Sequence, residues 1–314
     1  MYSAKKIASW NLFPPNMDFK FKAIYPSLEE SYQWCLGRME IHSKSFYFAS
    51  RFLPARQRKS VAALYAFCRM TDDIVDEVPE GTTKEDINLL LDNLKMTVVK
   101  LEQGYISSDP ILYAFGDTLF RHKIPVKYIH DLIEGVRMDL NKQEYKTDEE
   151  LDLYMYRVAS TVGLMMTHIF IENPTPRTLA RAADLGKAMQ LTNILRDIKE
   201  DYNKGRIYLP EETRVLYGVS VSDLAGDIVK ENLKALIRLE SRHAKAFYRT
   251  ADLGIEELPP AGAYTVKVAS RVYEDILNEI KRINYQVLSQ RAVVSKLRKI
   301  IIATKIRLEY YKKL

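Results

Sequence analysis

The sequence has little that would tie a chain together covalently or carry it through a membrane. Only Cys35 and Cys68 occur in 314 residues, too few for a disulfide framework. Cys68 ends the apolar run SVAALYAFC, where a free buried thiol is the expected state. A reducing, cytoplasmic setting follows. No segment reaches the roughly 18 uninterrupted apolar residues of a membrane span, and the opening MYSAKKIASWNLFPP holds no apolar core long enough for a secretion signal. Glycine and proline are scarce, at twelve each, and most prolines fall where helices would start or stop. Alternating strand patterns are nearly missing, which sets β folds aside. A concentrated basic patch is missing too. The 47 Lys+Arg against 41 Asp+Glu leave a formal charge of +6 spread along the chain, which argues against nucleic acid and leaves an anionic small molecule or membrane surface as partner.

What is present is helical periodicity. Apolar residues return at three- and four-residue steps, as in Ile87, Leu90, Leu91, Leu94, Val98 and Leu101. Ser27 with Glu30, Thr147 with Glu150 and Ser220 with Asp223 predict capping boxes, while ENPTPR and LPPAG place prolines at helix entries. Segments 60–76 and 155–171 are apolar almost all round and read as central helices of a large bundle. There is no repeat, low-complexity tract or domain boundary: residues 1–26 read as an irregular leader and 27–314 as one all-α domain. From Ser295 onward, seven Lys/Arg against one Glu surround IIIA and YY. A solvated helix is the plain reading of that stretch, and peripheral contact with an anionic membrane is the functional one.

Two acidic clusters stand out. In RMTDDIVDE, Asp72 and Asp76 are four apart and share a helix face, with Asp73 about 100° away. They follow a wholly apolar turn, where unpaired charge is costly and a hard, oxygen-seeking cation such as Mg²⁺ would relieve it. In QLTNILRDIKEDYNKGRIYLP, Asn193, Asp197 and Asp201 at i, i+4, i+8 point the same way along about 12 Å of helix. Gln190 extends this line backward, and Ala182, Ala183 and Gly186 leave room beside the helix beyond it. A solvated acidic face accounts for neither the amides nor the small residues. With Arg69 and Arg196 interleaved, the two clusters point to a cavity whose rim holds Mg²⁺ and whose depth is greasy, as a diphosphate on a long hydrocarbon requires.

The segments HSKSF, ALYAFCRMTDDIVDE, VASTVG, QLTNILRDIKEDYNKGRIYLP and VYEDILNEIKRINY together resemble the squalene/phytoene synthase family, over about residues 30–300. The resemblance implies an isoprenoid-synthase helical bundle with a central cavity, joining two farnesyl or two geranylgeranyl diphosphates head to head with three Mg²⁺ ions. It implies that Asp72, Asp76, Asn193, Asp197 and Asp201 hold the metal. It puts His42, Ser43, Lys44 and Ser45 in a flap near the diphosphates, and Arg69, Gln190, Arg196, Tyr273 and Arg291 on the diphosphates. Tyr65 and Tyr154 fall near the reacting centre, and Phe46, Val158, Val162, Gly163, Ala182, Gly186 and Met189 along the prenyl tunnels. Taken singly, these tyrosines read as core aromatics, Gly163 as close packing, His42 as a helix-end residue and Lys44 as surface.

The rival inside the family is squalene synthase, which finishes with NADPH; the chain shows no glycine-rich dinucleotide fingerprint, and NADPH is not expected. HSKSF and residues 271–285 resemble the C15, dehydrosqualene-forming branch. A head-to-tail prenyltransferase would lead its second motif with aspartates, and a terpene cyclase would want Ser or Thr within NILRDIKED. The non-enzyme alternative, a helical lipid-binding or assembly scaffold of the same fold, should have lost metal ligands, and all five are present.

Overall fold

Helix starts are set by side chains that take up the first backbone donors. The amide of Ser27 donates to Glu30 Oε2 (2.8 Å) and the amide of Glu30 donates to Ser27 Oγ (3.2 Å), a capping box that opens α1 (Leu28–His42). The computed structural model describes residues 26–311, so the expected leader, apart from Pro26, lies outside the described residues. Then come α2 (Lys44–Ser50), α3 (Ala55–Asp76), α4 (Lys84–Glu102), α5 (Pro110–Arg121) and α6 (Val126–Asn141). The middle of the chain forms α7 (Asp148–Met155), a π-helical turn (Tyr156–Ser160), α8 (Thr161–Phe170) and α9 (Pro176–Arg196). Last are α10 (Ile198–Asn203), α11 (Glu211–Leu216), α12 (Val221–Ala225), α13 (Glu231–Ile255), α14 (Pro260–Arg282) and α15 (Lys296–Tyr311). Among the described residues there is no strand; a lone parallel bridge joins Glu144 and Ile207.

The expected box at Ser220–Asp223 is present. At Thr147 only half of it forms: the hydroxyl accepts from the Glu150 amide (3.3 Å), while the Glu150 carboxylate accepts from the Lys146 amide (2.7 Å). Pro176 and Pro260 sit in the first turns of α9 and α14, where a missing N–H costs nothing.

Two expectations of unbroken helix need correction. Residues 155–171 are not one helix, because the π turn widens the coil between α7 and α8. Glycines let neighbouring helices press on that wider turn from two sides. A Cβ on Gly135 of α6 would come within 2.7 Å of Arg157 Cβ, and one on Gly186 of α9 within 2.5 Å of the Ala159 carbonyl. The line from Asn193 to Asp201 is also interrupted, since Asp197 leaves helical geometry (φ −109°, ψ 18°) between α9 and α10. The i+4 hydrogen bonds nevertheless persist from the Asp197 amide to Asn193 O and from the Asp201 amide to Asp197 O, both 2.9 Å. The bend thus re-aims the last carboxylates without separating them.

α9 is the pivot, packed against α13, α14, α8 and the π turn. One apolar cluster joins α1, α3, α4, α5, α6 and α8 on one side of the molecule. A second joins α7, α9, α13 and α14 on the other.

Because the Gly186 contact is with backbone that cannot swing away, Gly186→Ala is expected to lower stability by about 1–3 kcal/mol. Gly37→Ala, in α1 with nothing within 4 Å of the new methyl, should instead raise it by up to about 1 kcal/mol. Guanidinium denaturation of the two variants reads the difference, and equal effects would show that the π turn is not tightly held.

Candidate active site

Three long helices bring polar residues to one end of a common cavity. α3 presents Tyr65, Cys68 and Asp72 at three- and four-residue steps, α9 presents Gly186, Met189, Gln190 and Asn193, and α14 presents Ala269 and Tyr273. The cavity has a volume of about 270 Å³. Four turns before Asn193, its opposite end is closed by Thr178, Arg181 and Leu258, where Arg181 donates to Glu257 (2.6 Å) and to the Leu253 carbonyl (3.0 Å). Between the ends the walls are apolar or small, with Val158, Val162, Gly163 and Ala182 among them. Gly163 serves two purposes, since a Cβ there would lie 2.6 Å from the Ala182 carbonyl: its absence lets α8 close on α9 and keeps a methyl out of the bore. At the polar end the Phe46 ring lies 5.5 Å from Tyr273 and 6.2 Å from Tyr65.

The acidic residues are held by arginines from far along the chain. Asp73 faces away from the cavity and takes Arg38 (2.8 Å) and Arg69 (2.5 Å), locking α1 to α3. Arg69 also reaches Glu77 (2.7 Å). Asp197 accepts from Arg196 Nε (2.9 Å) and from Arg291 (3.1 Å), which also reaches Glu200 (2.8 Å). Arg206 donates to Asp76 (2.8 Å) and so ties the second acidic cluster to the first. Its position follows from a local turn. Gly205, at φ +75°, ends α10 in a left-handed cap, with the Gly205 amide on Tyr202 O and the Arg206 amide on Asp201 O, both 2.9 Å.

Asp72 opens onto the cavity and is exposed to solvent there, although protein atoms crowd around it. Loss of solvation, with repulsion from Asp76, Asp139 and Asp73, outweighs the pull of Arg69 and pushes its carboxyl up to about 7. Asp201 is likewise raised to about 7, by burial first and then by Asp197. Burial also raises the phenol of Tyr273 above its ordinary value, and pushes that of Tyr65 up to about 12.

The expected site residues fall into three places. Asp72, Asn193, Gln190, Tyr65, Tyr273, Phe46, Met189, Val158, Val162, Gly163, Ala182 and Gly186 line the cavity. Asp76, Asp197, Asp201, Arg69, Arg196 and Arg291 belong to the charged cluster at its rim. His42 ends α1, and Ser43 caps α2 by accepting from the Phe46 amide (3.4 Å). Lys44 Nζ donates to the Glu40 carbonyl (3.0 Å), and Ser45 Oγ accepts from Lys299 Nζ (2.8 Å). Tyr154 is not part of the cavity wall. Its hydroxyl donates to Asp139 (3.0 Å), as does that of Tyr208 (2.8 Å), and the two rings stack at 4.9 Å. Asp139, Tyr208, Arg206 and Arg38 had no role in the sequence reading. Arg206 and Tyr208 stand in GRIYLP, inside the second acidic segment, and were the legible signal.

Among the described residues no three His, Cys, Asp or Glu side chains converge on one point; the carboxylates are paired with Arg196, Arg206 and Arg291 instead. The donor set still fits Mg²⁺. It consists of carboxylate and amide oxygens, which suit a hard ion, and the buried Oδ1 of Asn193, beside the cavity, has no hydrogen-bond partner.

With this geometry in place, the comparisons decide the family. A profile described as Squalene/phytoene synthase matches residues 39–298. The chain belongs to the squalene/phytoene synthase family. A phytoene synthase of Arthrospira platensis is 36% identical over 278 residues, covering 84% of this chain and 88% of the relative. A 15-cis-phytoene synthase of Synechococcus elongatus is 35% identical, covering 87% and 91%. Among solved structures, a dehydrosqualene synthase in complex with ligand superposes with a TM-score of 0.84 at 29% identity, covering 91% of this chain and 98% of that one. The squalene synthase HpnC of Alicyclobacillus acidocaldarius gives 0.75 at 27%, covering 82% and 95%. The family makes the chain a prenyltransferase of carotenoid and related isoprenoid synthesis, acting on prenyl diphosphates. The family fold is all-α, as expected.

The raised carboxyls give the synthase a defined pH dependence. Asp72 and Asp201 bind protons more tightly folded than in the unfolded chain, where aspartate titrates near 3.9. Their contribution to stability is therefore fully present below that value and is lost as pH rises through about 7. In chelator-treated protein the melting temperature should fall between about pH 4 and about pH 7. Asp72→Asn should flatten the fall and raise the melting temperature at the alkaline end; an unchanged profile would show that solvent at the cavity mouth relieves the crowding around Asp72.

Proposed function

We propose that the chain condenses two geranylgeranyl diphosphates head to head to phytoene, through a cyclopropylcarbinyl diphosphate. The observation that carries the reaction class is one cavity with an acid- and arginine-lined rim and an apolar bore. The C20 substrate, in place of the C15 one suggested by HSKSF and residues 271–285, rests on relatives at 33–36% identity named phytoene synthases.

Asp72, Asp76, Asn193, Asp197 and Asp201 would hold Mg²⁺. When bound, Mg²⁺ supplies charge to neutralise the leaving diphosphate. Arg69, Arg196 and Arg291 surround the same end and offer forked N–H donors to phosphate oxygens. Gln190 adds an amide from within the cavity, and the segment His42–Ser45 lies beside it. For the arginines to serve the diphosphates they must give up their carboxylates, and Asp76 and Asp197 would be free to let go of them where those carboxylates held Mg²⁺ instead.

Breaking the allylic C–O bond of the first substrate leaves an allyl cation facing Phe46, Tyr65 and Tyr273. Their ring faces stabilise positive charge, and the apolar walls keep water from capturing it. The double bond at C2–C3 of the second diphosphate attacks, and loss of a proton closes the cyclopropane. A second ionisation and rearrangement, ended by loss of a proton, give the central double bond. Burial keeps Tyr273 protonated at neutral pH, so the departing diphosphate is the better proton acceptor.

The test is incubation of purified protein with Mg²⁺ and either farnesyl or geranylgeranyl diphosphate, with and without NADPH, followed by mass analysis of a hexane extract. Phytoene should form from the C20 substrate without NADPH. Asp72→Ala with Asp197→Ala should cut the rate at least about a hundredfold, the equivalent of a few kcal/mol of lost charge stabilisation. Dehydrosqualene from the C15 substrate would move the assignment to that branch, and squalene appearing only with NADPH to the reductive one. No hydrocarbon from folded protein would leave the scaffold reading.

A further inference from the structure

α15 is apolar on two opposite faces. One face belongs to the bundle: Ile302, Ala303, Ile306 and Tyr310 pack with Val268 and Val272 of α14. On the other, Leu297, Ile301, Thr304 and Leu308 recur at three- and four-residue steps and so lie on one line, with Ile300 beside it. Among the described residues nothing covers that line. Leu297 is 68% exposed, Ile300 53%, Ile301 48% and Leu308 58%. Single exposed apolar residues are ordinary, but three on one ridge with a fourth beside it are not.

Basic residues flank the ridge on both sides. At 100° per residue, Arg298 and Lys305 fall on one flank, Lys296 and Arg307 on the other, and Glu309 is the only acid in the helix. Arg298 is drawn toward the bundle by Asp275 (2.8 Å), while Lys296 and Lys305 are exposed. An apolar ridge between two basic rows is the pattern of a helix lying in the plane of an anionic bilayer, where lysines meet headgroups and leucines reach the acyl boundary. The same two rows disfavour a second copy of this chain as the cover, because an α15–α15 pairing would set lysines against lysines. Among the described residues no helix is long and apolar enough to cross a membrane, so contact through α15 would be peripheral.

We propose that α15 docks the protein on anionic lipid surfaces through Leu297, Ile300, Ile301 and Leu308, guided by Lys296 and Lys305. The dock lies beside the cavity mouth. Lys299, on the inner side of α15, donates to Ser45 Oγ in α2 (2.8 Å), and the next residue, Phe46, lines the cavity. A bound bilayer would thus lie on the outer side of the helix whose inner side touches the cavity-lining segment. Lipid binding by this helix does not depend on which diphosphate the cavity takes, so it can fail or hold independently of the reaction.

The experiment is co-sedimentation of the full chain with vesicles of phosphatidylcholine, alone or mixed with phosphatidylglycerol, at low and high salt. Binding to the mixed vesicles, weakened by salt and absent on pure phosphatidylcholine, is expected. The triple variant Leu297→Ser, Ile301→Ser, Leu308→Ser should bind about tenfold more weakly or less, with an unchanged melting curve because all three side chains are exposed. Lys296→Glu with Lys305→Glu should lose the preference for phosphatidylglycerol. Absence of binding to mixed vesicles, equal binding to neutral ones, or a triple variant that binds like the parent would each overturn the proposal. So would light scattering that finds a dimer in the parent and a monomer in the triple variant, since the ridge would then be a contact between copies.

Discussion

The structure turns on the cost of gathering carboxylates at the ends of two largely buried helices. Asp72 and Asp76 finish α3, and Asp197 and Asp201 follow α9, at the polar end of an otherwise greasy cavity. Left to themselves they repel, and the raised carboxyls of Asp72 and Asp201 record lost solvation first and that repulsion second. The fold compensates with guanidinium groups drawn from across the chain. Arg38 and Arg69 fix Asp73, Arg206 spans from the second cluster to Asp76, and Arg196 and Arg291 hold Asp197. A group that binds multivalent anions through cations needs the same two ingredients, carboxylates and arginines, separated only when its ligand arrives. Strain of this sort is kept at functional sites and offset by packing elsewhere.

That packing is built from small residues. Gly186 and Gly135 let α9 and α6 close on the π turn, and Gly163 lets α8 meet α9. The same positions keep side chains out of the bore, so helix contact and cavity depth are set together. The π turn contributes Val158 and Ala159 to the wall, a use of local helix irregularity that recurs at binding sites. Opposite the metal-ligand candidates, Arg181, Thr178 and Glu257 close the cavity with polar groups that are paired with one another, which limits its length without leaving an unsatisfied charge.

Much of this was legible in the sequence, because it is written at short range. Capping residues at Ser27 and Ser220, the prolines of α9 and α14, and the four-residue spacing of the acids are local patterns, and each shows in the structure. The helix break at Asp197 was not legible: the i+4 spacing is the same whether or not one residue leaves helical geometry. Nor was the π turn, since VAS is as apolar as the helices around it. Long-range pairing was the larger gap. Periodicity reports which face of a helix is buried but not what meets it, so the contacts of Asp139 with Tyr154 and Tyr208, and of Arg206 with Asp76 across 130 residues, left no trace beyond the residues themselves. Tyr154 illustrates the point, because its motif position suggested the reacting centre but not that its hydroxyl would donate to Asp139.

The central claim is that the two acidic clusters act as one cation-dependent diphosphate site, and calorimetric titration with inorganic pyrophosphate tests it most directly. Binding should be strong with Mg²⁺ and weak in chelator, and Asp72→Asn with Asp197→Asn should remove the Mg²⁺ dependence while the fold persists. Equal affinity with and without Mg²⁺, unaltered in that double variant, would contradict the account and leave the arginines alone as the anion site.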